Sequence, residues 1–178
     1  MTGQHDSSGE TEIEVEPEPE PIPSRPQTEE SYGIPADMDR LRSWSEVQEK
    51  LATARNFWVT TIRPDGRPHV RPTWGVWVDG TFHCGGGEGT RWVRNLATNP
   101  AIVVHRESAQ EVVILEGTAE RIDEDSVDAA LLETLDAAYV SKYGTPHGTP
   151  FFAVRPETVF AWNDYPTDAT RWTFGDGH

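Results

Sequence analysis

The residues best suited to chemistry lie between Gly85 and Leu96, where Gly85-Gly86-Gly87-Glu88-Gly89 runs directly into Thr90-Arg91-Trp92-Val93-Arg94. Glycines let a backbone approach an oxyanion closely. A helix start offers unpaired N–H groups and the positive end of the dipole, and Thr90 is a plausible N-cap for one. Arg91 adds a forked, permanently charged donor whose geometry matches phosphate oxygens. The chemistry implied is capture of an anionic group. The run lacks both the Lys-Ser/Thr ending of a P-loop and the G-x-G-x-x-G spacing of a dinucleotide fingerprint. The same residues also describe a hairpin exit followed by a surface helix with ordinary arginines. Basic residues on a first helical turn oppose the dipole, which tilts the choice toward an anionic ligand.

Other reactive side chains give weaker patterns. His83 and Cys84 are adjacent on a strand, so they point to opposite faces and do not share a metal. Cys84, the single cysteine, reads as a small packed residue. His69 and His105 fall on separate strands, and His147, between Pro146 and Gly148, reads as loop. No Ser-His-Asp arrangement emerges from spacing. The tryptophans are core or interface by composition, with Trp74 and Trp172 the candidates to stack on a flat ligand ring.

The elements that must position these residues follow from periodicity. Ser43 and Glu46 have capping-box spacing, and Trp44, Val47 and Leu51 share one face, predicting a helix over 43–54. Phe57-Trp58-Val59-Thr60-Thr61-Ile62 is β-branched and aromatic, as strands prefer. Pro64-Asp65-Gly66 turns the chain into a second strand over 68–78, and Asp79-Gly80 gives a two-residue hairpin into a third, 81–84. A short helix over 90–98 is stopped by Asn99-Pro100. Strands over 101–106 and 111–121, a helix over 125–143, strands over 151–154 and 158–162 and an aromatic tail, Thr170 to Phe174, complete the chain. Short strands at hairpin spacing with few helices predict a mainly β, α+β domain built as a small barrel.

Charge divides the 178-residue chain, whose formal net charge is −15. Residues 1–38 carry ten acids against Arg25, a net −9, which leaves −6 for the rest. The acid–proline alternation of Glu14 to Pro21 predicts a disordered tail over 1–36 and one folded domain over 37–178. Without a basic face, nucleic acid is not expected as a partner. A lone cysteine suits a reducing compartment, and neither a leader pattern nor a membrane-length apolar run is visible. A cytoplasmic protein is expected.

Taken in order, three stretches resemble the pyridoxamine 5'-phosphate oxidase-like split barrels. They are Thr61-Ile62-Arg63-Pro64-Asp65-Gly66-Arg67-Pro68-His69-Val70-Arg71-Pro72-Thr73-Trp74, Asp79-Gly80-Thr81-Phe82, and Gly89-Thr90-Arg91-Trp92-Val93-Arg94-Asn95-Leu96-Ala97-Thr98-Asn99-Pro100. Val112 to Ala119, Val159 to Trp162 and Ala169 to Trp172 extend the similarity over roughly residues 40–175. The branch that uses deazaflavin coenzyme F420 is the most similar. The resemblance implies an FMN-binding-protein-like split β-barrel, a homodimer with sites across its interface, and F420, or else FMN, as cofactor. It implies hydride transfer to or from a small organic substrate, or else non-catalytic carriage of a flavin, F420 or haem. By position, Arg71, Pro72, Thr73 and Trp74 would line the ring, and Gly85 and Gly86 would lie under the phosphate or ribityl chain. Thr90 and Arg91 would bind the phosphate, and Trp172 would reach the cofactor held mainly by the other subunit. The family usually has Lys after the motif's arginine. Here Trp92 stands at that site position, so one phosphate-binding charge is replaced by an indole, with Arg94 or Arg71 as substitutes.

Overall fold

The computed structural model describes residues 21–127 and 129–175. Nine strands and few helices follow in chain order: β1 (Ile22–Ser24), a 3-10 turn (Glu30–Tyr32), α1 (Trp44–Thr53), β2 (Phe57–Ile62), β3 (Pro68–Thr73), β4 (Val76–Val78), β5 (Thr81–Gly85), α2 (Arg91–Leu96), β6 (Ala101–Arg106), β7 (Val112–Ile122), α3 (Ala129–Tyr143), β8 (Phe151–Trp162) and β9 (Thr170–Thr173). All strand pairings are antiparallel, in the order β1-β9-β8-β7-β6-β2-β3, with β5 joining β4 to the first part of β8. The path from β8 through β7, β6, β2 and β3, along the chain to β4 and across β5, returns to β8. This is the expected split barrel, and its seam lies where β3 bends at Trp74 and Gly75.

Local chemistry explains most of these elements. Ser43 caps α1 with the full reciprocal capping box to Glu46, which satisfies two otherwise orphaned donors. Asp79 and Gly80 both take positive φ, 47° and 71°, the conformation that a tight primed hairpin turn demands. The inner faces of β2 and β6–β8 supply Phe57, Val59, Val104, Val113, Leu115, Val154 and Val159 to one core, which α1 closes with Val47 and Leu51. A second, smaller core forms where Leu135 and Tyr139 of α3 pack on Val76, Ile122, Phe151 and Ala153.

Three boundaries differ from the sequence expectation. The strand expected over 68–78 breaks into β3 and β4, because a Cβ at Gly75 would stand 2.2 Å from the Phe82 ring; only glycine fits the bend. The two strands expected over 151–162 are one. The register passes from Gly117↔Pro156 to Glu116↔Thr158, so Glu157 is the extra residue of a bulge that lets the strand run on past Pro156. The disorder expected through residue 36 is corrected in part. Residues 1–20 lie outside the described residues, but Ile22–Ser24 pair with Arg171–Thr173, and Arg25 donates to the carbonyls of Thr167 and Ala169 at 3.0 and 3.1 Å. A short edge strand containing proline also blunts the sheet's edge. Among the described residues no helix is long and apolar enough to cross a membrane.

Candidate functional site

A cleft of about 460 Å³ opens at the barrel seam, lined by Asn56, Arg71, Pro72, Thr73, Trp74, Gly85 and His147. Five of the ten residues singled out by sequence, Arg71 to Trp74 and Gly85, are therefore brought together. The end of β3 supplies three of them, and Trp74 follows directly after the strand. The strand's alternation turns His69 and Arg71 to one side and Val70 and Pro72 to the other, and Thr73 is buried where the strand stops.

The walls are held by residues that sequence reading passed over. The Tyr139 hydroxyl donates to the carbonyl of Trp74 and accepts from the N–H of Gly85, both at 3.2 Å. One buried phenol thus ties the two sides of the cleft, and burial drives its pKa well above the usual phenol value. The Tyr143 hydroxyl accepts from the Gly75 N–H at 2.9 Å and sits 2.8 Å from the carbonyls of Arg55 and Gly75. Lys142 donates to the Gly75 carbonyl at 2.9 Å, above the rings of Phe57 and Tyr143, and burial lowers its pKa to about 8. Trp74 stacks on Tyr143 at 4.5 Å and 7° between planes, leaving its other side exposed at 43%. The i, i+3, i+4 spacing of Tyr139, Lys142 and Tyr143 was a readable signal of one functional helix face, but nothing in the sequence aimed that face at Gly75.

His147 and Asn56 also line the cleft without having been site candidates, and His147 has the more fixed setting. Its ring lies on Gly85, so close that a Cβ there would be 2.0–2.3 Å from three ring atoms. It meets Tyr139 and Phe151 edge to face or tilted, at 5.4 and 5.5 Å. The Asp136 carboxylate fixes its loop by accepting from the N–H groups of His147 and Gly148 at 3.2 and 3.0 Å.

The remaining candidates do not join the cleft. Gly86 is covered by the Trp92 indole, which a Cβ would meet at 2.1 Å. Trp92 has no exposed surface and packs on Phe152 at 5.0 Å. Trp172 is 1% exposed, locked against Trp44. Gly86, Trp92 and Trp172, expected at the ligand, lie outside this cleft and are covered by this chain's own rings. Thr90 does start α2, but its hydroxyl donates to the Gly87 carbonyl at 2.7 Å and makes no cap bond. Arg91 is exposed. Cys84 is buried and its thiol is pushed up to about 12, as a packed, unreactive cysteine should be.

Charge supplies what the helix start does not. Burial, and after it the guanidiniums of Arg63, Arg91 and Arg71, hold His69 below its ordinary pKa. The charges of Arg63, Arg91 and Arg71 thus all act on His69. Among the described residues none of the three has a carboxylate within ion-pair distance, and Nε of Arg63 is buried without a hydrogen-bond partner. In a chain of net charge −15, acids to neutralise them were plentiful. Arg71, a cleft-lining guanidinium without an ion pair among the described residues, is suited to an anionic group.

Comparison with known proteins places these features. The family profile described as pyridoxamine 5'-phosphate oxidase matches residues 43–163. No curated protein sequence matches the chain. Among solved structures, a conserved hypothetical protein of Mycobacterium tuberculosis superposes with a TM-score of 0.58 at 18% identity, over 71% of this chain and 88% of that one. A putative pyridoxamine 5'-phosphate oxidase of Listeria innocua gives 0.55 at 15% identity, over 67% and 98%. The haem storage protein HutZ of Vibrio cholerae gives 0.55 at 19% identity, over 68% and 95%. At these identities the structural likeness speaks for the fold alone.

Proposed function

The chain belongs to the pyridoxamine 5'-phosphate oxidase family, and from that premise we propose that its cleft holds the deazaflavin F420, with FMN the close second, for hydride transfer with a small organic substrate. The observation that carries this reading is the cleft itself, which sets the Arg71 guanidinium beside Pro72, Thr73 and the Trp74 ring, with Arg63 and Arg91 adding positive charge on the His69 side. The donor set fits both cofactors, since each joins a planar ring to a phosphate-bearing chain. Arg63, Arg71 and Arg91 would hold the phosphate. Pro72, Thr73 and Trp74 would face the ring, and the α3 residues Tyr139, Lys142 and Tyr143 would keep that wall rigid. The bound group supplies two-electron hydride exchange, while the protein supplies placement and exclusion of water.

The other subunit of a homodimer would complete the cleft. The outward face of β2 and β3 exposes Trp58, Ile62 and Val70 at 37%, 37% and 54%, with Trp58 opposite Pro72 and Thr60 opposite Val70. That apolar sheet face suits a second copy. Sedimentation as a monomer at micromolar concentration would count against it. Such a protein would work in the cytoplasm.

Equilibrium titration of F420 and FMN into one preparation tests the reading. Saturable binding of either, weakened by Arg71→Ala with the fold intact, is the expected result. No binding of either is the failure. One observation favours a second reading, haem carriage: the imidazole of His147 stands in the cleft, and HutZ has the same fold. A Soret band after haem addition, abolished in His147→Ala, would select it.

A further inference from the structure

Positive and negative charge are segregated along this chain, and the sheet brings them within reach of each other. Residues 1–20 hold seven acids between Asp6 and Glu20 and neither Lys nor Arg. The charges of Arg63, Arg71 and Arg91 act together on His69. Among the described residues no carboxylate pairs with any of the three. The strand register bounds the distance between the two groups. Ile22 pairs with Thr173, and one row of partners continues through Thr158, Glu116, Val103 and Thr60 to Val70. At about 5 Å for each pairing, Val70 lies no more than about 30 Å from Ile22. Val70 stands between His69 and Arg71. Because every step is antiparallel, β1 and β3 run in the same sense. The chain before Ile22 therefore leaves from the edge of the sheet where β3 begins, the edge of the turn closed by Arg63 and Arg67. Glu12 and Glu10 stand ten and twelve residues before Ile22. An extended, proline-containing chain advances about 3.1 Å per residue, so these carboxylates reach about 31 and 37 Å. Asp6 reaches further still.

We propose that the acidic segment Asp6 to Glu12 docks on Arg63, Arg71 and Arg91 of the same chain, as an autoinhibitory anion that a ligand of the cleft must displace. The contact goes beyond the cofactor reading above, since it does not depend on which anion the cleft takes. β1 makes the tether short. Its pairing with β9, and the bonds from Arg25 to the carbonyls of Thr167 and Ala169, hold Ile22 at the sheet edge. One exposed ion pair contributes little. Several carboxylates on one short tether act at a high effective concentration and need no single fixed geometry. Such a contact is screened by salt, and it taxes every competing ligand by the fraction of time the arginines are free. If they are covered about nine-tenths of the time, the ligand's apparent Kd rises about tenfold.

The test places a nitroxide on Ser8→Cys in the full chain; Cys84 is buried, its thiol pushed up to about 12, and takes no label. The amide resonances of His69, Val70 and Arg91 should broaden at low salt. They should sharpen at high salt, and also when Asp6, Glu10 and Glu12 are changed to Asn, Gln and Gln. Resonances that stay sharp throughout, or broadening that neither salt nor neutralisation relieves, overturn the contact. Broadening carried from nitroxide-labelled chains to isotope-labelled ones in a mixture overturns its intramolecular form. FMN titrated at low salt should bind the neutralised variant about three- to tenfold more tightly than wild type, with the two equal at high salt. Changing Asp123, Glu124 and Asp125 to Asn, Gln and Asn alters the net charge equally and should leave FMN affinity at the wild-type value. Equal affinities of wild type and the Asp6, Glu10, Glu12 variant at low salt, or an equal gain from the control, overturn the competition. Failure of FMN and F420 alike to bind any variant overturns the cofactor reading instead, while the broadening still decides the contact.

Discussion

Gly85 and Gly86 differ from Gly87 and Gly89 in what surrounds them, although the four stand in one five-residue run. A side chain added at Gly87 or Gly89 would meet nothing within 4 Å, whereas one at Gly85 would strike His147 and one at Gly86 would strike Trp92. The first pair is glycine because two rings of the same chain need the volume. The second pair is glycine in open solvent. A glycine-rich loop therefore has at least two physical origins: backbone approach to a ligand, and backbone approach to the protein's own aromatic side chains. The two look identical in sequence. Here the cleft opens at the neighbouring strand end, where Arg71 to Trp74 line it.

The contrast can be broken at graded cost. The largest effect is expected from Trp92→Lys, which would install the charge that the resemblance leads one to seek. Position 92 is fully buried, so the change deletes a core indole and buries an amine. A loss of about 3–5 kcal/mol is expected, seen as a lowered urea midpoint with no gain in FMN affinity. A stable Lys variant with tighter FMN binding would show that the indole side faces ligand after all. Next is Gly86→Ala, whose methyl must displace a buried ring. Overpacking of this kind costs about 1–3 kcal/mol, measurable by chemical denaturation.

The buried side also hides His83, which is 4% exposed with Nδ1 unpartnered. Burial lowers its pKa to about 4 from an ordinary 6.5. A depressed folded-state pKa contributes stability that is present above pH 6.5 and is lost as the pH falls toward 4. Denaturation at pH 7 and pH 5 should differ by roughly 1–2 kcal/mol on this account, and His83→Gln should flatten that part of the difference.

Gly85→Ala sharpens the comparison from the other direction. It evicts an exposed loop histidine instead of a core ring, so stability should change by less than about 1 kcal/mol. FMN affinity should nevertheless fall severalfold, because the displaced ring lines the cleft. A stability loss matching that of Gly86→Ala would mean that the two covered glycines are equivalent. The smallest effect belongs to Gly87→Ala, within about 0.5 kcal/mol of wild type as for surface changes generally, with binding unchanged.

Much of this architecture was legible without coordinates. The capping box at Ser43, the β-branched run at Phe57 to Ile62 and the Asp79-Gly80 turn are local signals, because each depends on neighbours within a few residues. Ordered motifs gave the family, and with it the barrel and four consecutive residues, Arg71 to Trp74, that line the cleft at the end of β3. What could not be read depends on long-range contact. The two strands expected over 151–154 and 158–162 became one because a bulge at Glu157 carries the pairing past Pro156. Trp92 and Trp172 looked available until the core claimed them, since an amphipathic aromatic suits ligand and interior equally well. His147 read as loop because nothing local says that its ring will rest on Gly85, 62 positions earlier in the chain. Sequence determined the elements, the charge and the family, through forces acting over one or two turns. Tertiary structure alone decided which glycines serve rings, which arginines go uncompensated and which donors remain for a ligand, because those are properties of volume and electrostatics shared between distant segments.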